Sequence, residues 1–336
     1  MEKNINFSSN LILPIGRTIK KDTSLLLGWP GSGFSFTFLG EELRIKFGAF
    51  DSERNFYFKI YVDKIIQTHC VCASDQIVVI RGLSLKEHNV KVIKITECMQ
   101  QVEISSITIS GTNASFLKSE PQRRLKFEFI GDSLTAGFGN RSEPDAGIYR
   151  ESEQDVTCAY AYLTAESLKA EGRYICCSGK GIFNNWDGSK EHRITTFYEK
   201  KYITVDEPHD FSTWNPDIVF INAGTNDITA QTDPKDFKTA YIDFVKKVHE
   251  LNPDSIIVCL HGMTTDKFAD TFEEIKTELK KMYFENPLKI DFFRFATISQ
   301  EFYSIFRIRR GNKPLNTVTF VYVWLAACIG YFSSRR

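Results

Sequence analysis

The chain has 336 residues, of which 42% are hydrophobic and 25% are charged, values typical of a globular protein large enough for two domains. Lysine plus arginine and aspartate plus glutamate each number 42, so no basic field predicts nucleic-acid binding or attraction to an anionic membrane. The N-terminal stretch has no apolar segment of the secretory type, which makes the cytoplasm the default expectation for its location. The cysteines form no Cys-x-x-Cys pair, so neither a metal nor another cofactor is expected.

Residues 25–110 alternate between apolar and polar side chains with period two. Phe34, Phe36 and Phe38, for example, are separated by a serine and a threonine. The alternating segments are 34–38, 43–47, 56–62, 90–95 and 102–109. Short strands with one apolar face and turn signals between them predict an antiparallel β-sandwich, to which we assign residues 1–118.

The segment 111–124 is polar, contains Pro121 and has no periodicity, which predicts a linker. Beyond it, short apolar runs alternate with amphipathic stretches. The predicted strands are 125–130, 174–177, 217–222, 255–260 and 288–296, and the predicted helices are 159–170, 236–251 and 272–282. This alternation predicts a parallel sheet covered by helices on both faces, which we assign to residues 119–298. In such sheets, ligands bind beyond the carboxyl ends of the strands.

A Gly131-Asp132-Ser133 turn directly follows the first strand of this second domain. A serine hydroxyl becomes a nucleophile when a base takes its proton and when hydrogen-bond donors stabilise the oxyanion that forms. The backbone N–H groups of Ser133 and Gly179 and the side-chain amide of Asn226 each follow a different predicted strand, so they can converge over one point. The sequence therefore predicts a serine nucleophile with a three-donor oxyanion hole.

The order of these motifs resembles that of the SGNH/GDSL hydrolase family. The blocks that carry the resemblance are 131–137 (Gly-Asp-Ser-Leu-Thr-Ala-Gly), 178–182 (Ser-Gly-Lys-Gly-Ile) and 224–227 (Gly-Thr-Asn-Asp). The segment 28–40, which begins Gly-Trp-Pro-Gly-Ser-Gly, resembles the N-terminal sandwich of carbohydrate esterase family 2, the acetyl-xylan-esterase-like group. The resemblance implies a three-layer α/β, flavodoxin-like SGNH hydrolase domain preceded by an all-β jelly-roll sandwich.

The resemblance also implies the roles of individual residues. Ser133 would be the nucleophile, and the oxyanion hole would consist of the N–H groups of Ser133 and Gly179 and the amide of Asn226. Asp132 would support the turn, and Asp227 would support the loop that presents Asn226. The implied reaction is hydrolysis of a small acyl ester, an acetyl ester above all, through an acyl-enzyme and without a metal. The expected partner is therefore an acylated carbohydrate substrate.

The last block of the family, an Asp-x-x-His motif near the C-terminus that supplies the general base, is missing from this chain. The six histidines are His69, His88, His192, His209, His249 and His261. His261 ends a predicted strand, where packing is the usual role of a lone histidine. No histidine is therefore assigned as the base, and the chain as written is expected to be weakly active or inactive.

Residues 299–336 form an atypical C-terminal tail in place of the expected His-bearing block. The favoured interpretation is a change of reading frame or gene model near residue 298, which translation of the downstream coding DNA in three frames tests. A second interpretation is a pseudoenzyme that kept the pocket and lost the base. A third is a membrane anchor at the apolar run 315–332, which falls short of the ~20 residues that a membrane-spanning helix usually needs.

Two other functions compete with the esterase. A non-catalytic carbohydrate-binding protein would stack tryptophans on sugars, and Trp186 is a candidate substrate contact because it lies in a predicted loop. Trp29 and Trp214 are weaker candidates, since core packing is the commoner fate of tryptophan. A lipid esterase or thioesterase of the SGNH class is the third function, because a fold does not determine its substrate.

Overall fold

The structure, a computed structural model, describes residues 2–282 and 290–294, apart from positions 6, 8, 49–54, 64, 100, 120–124, 143–148 and 262–264. The predicted tail at 299–336, with its apolar run 315–332, lies outside the described residues, as does part of the predicted linker. No helix in the part of the chain that the structure describes is long and apolar enough to cross a membrane.

Residues 2–117 form two six-stranded antiparallel sheets. Their strands are β1 (Glu2–Asn4), β2 (Leu13–Ile15), β3 (Thr18–Lys20), β4 (Leu25–Leu27), β5 (Gly33–Gly40), β6 (Glu42–Phe47), β7 (Phe56–Val62), β8 (Ile65–Val71), β9 (Ile77–Ile80), β10 (Lys86–Lys94), β11 (Val102–Ser110) and β12 (Ser115–Leu117). One sheet has the order β3-β4-β11-β6-β9, with β1 also paired to β11. The other has the order β12-β5-β10-β7-β8, with β2 also paired to β5. The predicted all-β N-terminal half is confirmed.

The period-two pattern explains the core of this sandwich. Successive residues of a strand point to opposite faces of a sheet, so the alternating phenylalanines of β5 share one face. Phe34, Phe36 and Phe38 are each at most 1% exposed. Burying one such side chain contributes about 1.5–3 kcal/mol, and this repeated burial holds the two sheets together.

The second half of the chain is an α/β domain. Its strands are β13 (Lys126–Gly131), β14 (Glu171–Cys176), β15 (Lys200–Tyr202), β16 (Val205–Pro208), β17 (Ile218–Asn222), β18 (Ile256–His261) and β19 (Ile290–Arg294). Its helices are α1 (Ser133–Ala136), α2 (Tyr160–Ser167), α3 (Ile194–Phe197), α4 (Thr225–Thr229), α5 (Pro234–Leu251) and α6 (Ala269–Met282). Within the described residues, five parallel strands form one sheet in the order β14-β13-β17-β18-β19. This is the flavodoxin-like order, whose switch point lies between β13 and β17, and the predicted fold class is confirmed.

Three aromatic rings stack side by side across the centre of this parallel sheet. Phe129 of β13 stacks on Phe220 of β17, with ring centroids 4.7 Å apart, and on Tyr174 of β14, with centroids 5.6 Å apart. Helix α2 and the sandwich residues Ile93 and Ile95 cover this face, whereas α5 and α6 cover the other. The loops at the strand ends therefore rise from a rigid, well-packed base.

Buried polar contacts join the sandwich to the α/β domain. The indole N–H of Trp29 donates to the carbonyl oxygen of Lys201 over 2.9 Å. The Arg17 guanidinium lies 3.2 Å from the Glu128 carboxylate, and their side chains are only 1% and 2% exposed. The second oxygen of Glu128 accepts the hydroxyl of Tyr198 over 2.8 Å. The positive charge of Arg17, a residue of the sandwich, is thus neutralised by Glu128 of β13 in the parallel sheet.

Glu128→Ala is expected to lower the free energy of unfolding by about 3–5 kcal/mol, because it leaves a buried guanidinium without its counter-charge. Urea unfolding followed by far-UV circular dichroism measures the change. Glu250→Ala, which breaks an exposed pair with Lys247, serves as the control and should leave the transition in place. An equally small effect of both substitutions would contradict the burial of Arg17.

Some predicted boundaries differ from the structure. The predicted strand 174–177 begins earlier, at Glu171. The predicted helix 159–170 ends at Ser167, because Lys169 adopts a left-handed φ of 52° that no α-helix accommodates. The hairpin of β15 and β16 has no counterpart in the sequence prediction, since strands of three and four residues are too short to show an alternation.

Candidate active site

Ser133 begins a short helix directly after β13, which lies between β14 and β17 in the parallel sheet. A Cβ atom at Gly131 would lie 2.2 Å from the hydroxyl oxygen of Thr135 and 2.9 Å from the backbone carbonyl oxygen of Asn222, so a larger residue would displace this turn. Asp132 caps the helix: its Oδ1 accepts the backbone N–H of Leu134 over 3.0 Å. These contacts hold Ser133 half-buried at the carboxyl edge of the sheet, beside the switch point.

Gly179 lies three residues beyond the end of β14, in the loop next to Ser133. Its φ of +76° is in the left-handed region that favours glycine, and an added Cβ would lie 2.6 Å from Cδ1 of Trp186. The backbone N–H of Trp186 donates to the carbonyl oxygen of Gly179 over 3.0 Å. The predicted oxyanion donor therefore stands directly against the ring of Trp186.

Asn226 lies in the short helix α4 after β17 and links the three loops of the site. Its side-chain nitrogen donates to the carbonyl oxygen of Lys180 over 2.8 Å and to Oδ2 of Asp132 over 3.3 Å. The structure thus brings together the turn of Ser133, the loop of Gly179 and the amide of Asn226. Both amide hydrogens are engaged, so donation to an oxyanion requires the release of one, and the longer bond to Asp132 is the weaker of the two.

Asp227 holds the loop that follows Gly179. Its carboxylate accepts the backbone N–H groups of Ile182 over 2.9 Å, Phe183 over 2.7 Å and Asn184 over 2.9 Å. Burial raises the pKa of Asp227, although these three hydrogen bonds act in the opposite direction. The sequence predicts support of the loop that presents Asn226, and the structure adds this second loop, whose contacts lie 43 to 45 residues before Asp227 in the chain.

The surroundings of Asp132 shift the pKa of its carboxyl group strongly upward. Burial, together with the nearby Asp227 carboxylate, raises its pKa to about 7, against the lowering effect of the Leu134 N–H. The folded chain therefore holds a proton on Asp132 at a pH where the unfolded chain has released it. Two buried carboxyls that affect each other's ionisation make the proton distribution of this cluster dependent on pH.

Asp132→Asn is expected to remove one component of the pH dependence of stability. Because the folded pKa lies above the unfolded value, the stability that Asp132 contributes is complete below about pH 4 and declines until about pH 7. The unfolding free energy of the parent chain relative to that of Asp132→Asn should therefore fall as the pH rises through this window. Urea unfolding of both proteins across the window measures the difference, and a constant difference would contradict the raised pKa.

All six histidines lie within the described residues. His69 lies 3.2 Å from Gln67, His88 lies 3.0 Å from Asp63, and His192 lies 3.3 Å from Glu191. His249 is in the last turn of α5, away from the carboxyl edge of the sheet. No hydrogen bond in this part of the chain joins a histidine to Ser133.

The other two histidines, His209 and His261, have specific environments. Burial, and then the nearby guanidinium groups of Arg17 and Arg173, lower the pKa of His209 to about 3, so it is neutral at pH 7. His261 ends β18 at the carboxyl edge of the sheet, but its ring stacks flat on the ring of Phe272, with centroids 4.3 Å apart. The histidines of this chain thus leave Ser133 without an assigned general base.

The tryptophans differ sharply in exposure. Trp186 is 60% exposed, whereas Trp29 and Trp214 are 1% and 8% exposed. The indole N–H of Trp214 donates to the carboxylate of Glu171 over 2.8 Å, and that of Trp29 is also bonded inside the protein. A buried indole cannot stack on a sugar, so the structure excludes that role for Trp29 and Trp214 and leaves Trp186 as the candidate.

One cluster of three potential ligand side chains near the site was not predicted from the sequence. Glu97, Cys98 and Cys177 are buried and place their ligand atoms within 4.8 Å of one another, a set that could hold a metal ion. The Lys94 ammonium donates to the carbonyl oxygen of Glu97 and puts a positive charge beside the set. That charge disfavours a bound cation there.

Two family profiles match the chain. Residues 14–118 match the carbohydrate esterase 2 N-terminal family, and residues 129–283 match the GDSL-like lipase/acylhydrolase family. The cellulase/esterase CelE of Acetivibrio thermocellus is 29% identical over 238 residues, which cover 70% of this chain and 29% of that protein. An acetylxylan esterase/glucomannan deacetylase of Cellvibrio japonicus is 26% identical over 281 residues, covering 76% of this chain and 74% of that protein.

Solved structures show the same architecture. A family two carbohydrate esterase from Clostridium thermocellum, in complex with cellohexaose, superposes with a TM-score of 0.77 at 27% identity, covering 85% of this chain and 89% of that chain. An acetyl xylan esterase from the rumen bacterium Butyrivibrio proteoclasticus superposes with a TM-score of 0.80 at 22% identity, covering 90% and 91%. The second likeness shows the shared two-domain fold.

Proposed function

The chain joins a carbohydrate esterase 2 N-terminal domain to a GDSL-like hydrolase domain, and on this basis we propose that it removes small acyl groups, acetyl above all, from sugars or oligosaccharides. The observation that carries the proposal is the convergence of three loops at the switch point of the sheet. Asn226 bridges the turn of Ser133 and the loop of Gly179 through its two hydrogen bonds. A nucleophile and oxyanion donors are the parts that acyl transfer needs.

The proposed reaction proceeds through an acyl-enzyme. The Ser133 hydroxyl oxygen attacks the acetyl carbonyl and gives its proton to solvent water, and the N–H groups of Ser133 and Gly179 stabilise the oxyanion. Collapse of this intermediate breaks the bond to the sugar oxygen, which takes a proton back from solvent and leaves. A second water then attacks the acetyl-serine, the serine oxygen regains a proton from solvent, and acetate is released. Because no base is assigned, these proton transfers are slow, and we expect weak turnover.

The acyl and sugar preferences are tested together. Acetate release from acetylated xylan and acetylated glucomannan is compared between the parent chain and Ser133→Ala, and para-nitrophenyl acetate is compared with the octanoate. We expect acetate release that depends on Ser133 and a preference for the acetyl ester. Faster cleavage of the octanoate would favour the lipid esterase or thioesterase instead.

A second candidate function is glycan binding without turnover. It is favoured by the 60% exposure of Trp186 beside Gly179, and a relative of known structure binds cellohexaose. An aromatic face beside the site offers a sugar a stacking surface. Retention on a cellohexaose affinity gel that Trp186→Ala abolishes and Ser133→Ala leaves intact, with no acetate release, would establish this function.

A further inference from the structure

A carboxylate of the sandwich lies directly behind the loop that carries Gly179. Glu97 follows β10 and is 7% exposed. Its Oε1 accepts the hydroxyl of Ser178, and its Oε2 lies 3.4 Å from the backbone nitrogen of the same residue. Oε2 also lies 3.3 Å from the backbone nitrogen of Cys98. One carboxylate therefore engages both polar hydrogens of the residue that precedes Gly179.

The loop is held from its other side by different contacts. The carbonyl oxygen of Gly179 accepts the N–H of Trp186 over 3.0 Å, and the carbonyl oxygen of Lys180 accepts the amide of Asn226 over 2.8 Å. The N–H of Gly179 belongs to the peptide that begins at Ser178. The direction of this N–H therefore depends on the backbone of Ser178, which Glu97 restrains.

Burying the ionisable side chains of Glu97 and Lys94 has a free-energy cost, which argues against an incidental contact. Burial raises the pKa of Glu97, and the hydrogen bonds from Ser178 act against that rise. The Lys94 ammonium beside it is fully buried, and burial lowers its pKa to about 8. Burial thus disfavours the charged forms of both side chains, and the hydrogen bonds that Glu97 accepts from Ser178 and Cys98 offset part of that penalty.

We propose that Glu97 is a positioning residue of the oxyanion hole, which acts through Ser178 to hold the Gly179 N–H where the oxyanion forms. The sandwich then completes the active site, because the residue that orients one donor comes from the other domain. This inference rests on the function proposed for Ser133.

The test combines a measurement of the loop with a measurement of the reaction. Hydrogen exchange of the backbone amides at 178–181 and the first-turnover acylation rate with para-nitrophenyl acetate are measured for Glu97→Ala, Glu97→Gln and Ser178→Ala. Glu87→Ala, at an exposed position of β10, is the matched control. In Glu97→Ala we expect faster exchange and an acylation rate that falls by up to about 100-fold with little change in KM.

The conservative and combined variants separate positioning from a general loss of structure. Glu97→Gln keeps one acceptor for the Ser178 hydroxyl and should recover part of the rate. The double variant with Ser178→Ala should be no slower than Glu97→Ala alone, because both changes break the same link. Ser178→Ala, which removes only a hydroxyl, keeps the test valid if Glu97→Ala does not fold.

Two results would overturn the inference. One is unchanged exchange at 178–181 in Glu97→Ala and in Ser178→Ala, and the other is faster exchange with an unchanged acylation rate. Absence of any acylation in the parent chain would instead refute the function proposed for Ser133. In that case the exchange measurement alone decides whether Glu97 holds the loop.

Discussion

The Ser133→Ala variant is expected to lose the initial release of para-nitrophenol that the parent chain gives with para-nitrophenyl acetate. The aryl leaving group departs without a proton, so acylation of Ser133 needs less help from a base than release of a sugar does. Deacylation still needs an activated water, so we expect a burst of about one equivalent per chain followed by slow turnover. Loss of a triad member costs about 10⁴- to 10⁶-fold in turnover while the oxyanion hole keeps some catalysis.

The control for this prediction is an exposed serine outside the site. Ser212 lies in a short helical turn at 211–213, where it is bonded to Asp210, and Ser212→Ala should keep the burst. A burst that persists in Ser133→Ala would refute Ser133 as the nucleophile. Fast steady turnover that Ser133→Ala abolishes would leave the nucleophile in place but refute the expectation of a weakly active chain.

Gly179→Ala is expected to lower the acylation rate by about 100- to 1000-fold, the usual cost of one oxyanion donor. The added methyl group meets Trp186 at 2.6 Å and is placed on a residue with φ of +76°. The loop must move to relieve the collision with Trp186 and the backbone strain. We expect that movement to take the Gly179 N–H away from the oxyanion. Stopped-flow measurement of para-nitrophenol release gives the rate.

A matched control separates the collision with Trp186 from the backbone strain. Gly188 has a similar φ of +80°, but a Cβ there would meet nothing within 4 Å, so Gly188→Ala should cost little activity. Adding Trp186→Ala to Gly179→Ala removes the collision and should recover part of the rate. If Gly188→Ala were as damaging as Gly179→Ala, strain alone would explain the effect.

The sequence predicts the fold well where burial follows a simple period. The phenylalanines of β5 alternate because one face of a sheet is buried, and the apolar run of β17 is continuous because its sheet is covered on both faces. Helix α5 begins at Pro234, behind the cap Asp233, two residues before the prediction. The Asp-Pro pair was a usable signal there, since aspartate caps helices and proline suits their first turn.

The sequence predicts less of the site. Ser133, Gly179 and Asn226 follow three strands of one parallel sheet, so topology alone brings their loops together. The contacts of Asp227 with 182–184 and of Glu97 with Ser178 join segments 43–45 and 81 residues apart. No local pattern reports such pairings, because they arise only when the loops and the two domains pack.

The central claim is that Ser133 carries the acyl group, and peptide mass spectrometry after brief exposure to para-nitrophenyl acetate tests it most directly. The proposed mechanism predicts one acetyl group on Ser133 in the parent chain, because slow deacylation lets the acetyl-serine accumulate, and no acetyl group at this position in Ser133→Ala. A parent chain that releases para-nitrophenol at the same rate as Ser133→Ala, with Ser133 unmodified, would contradict the claim.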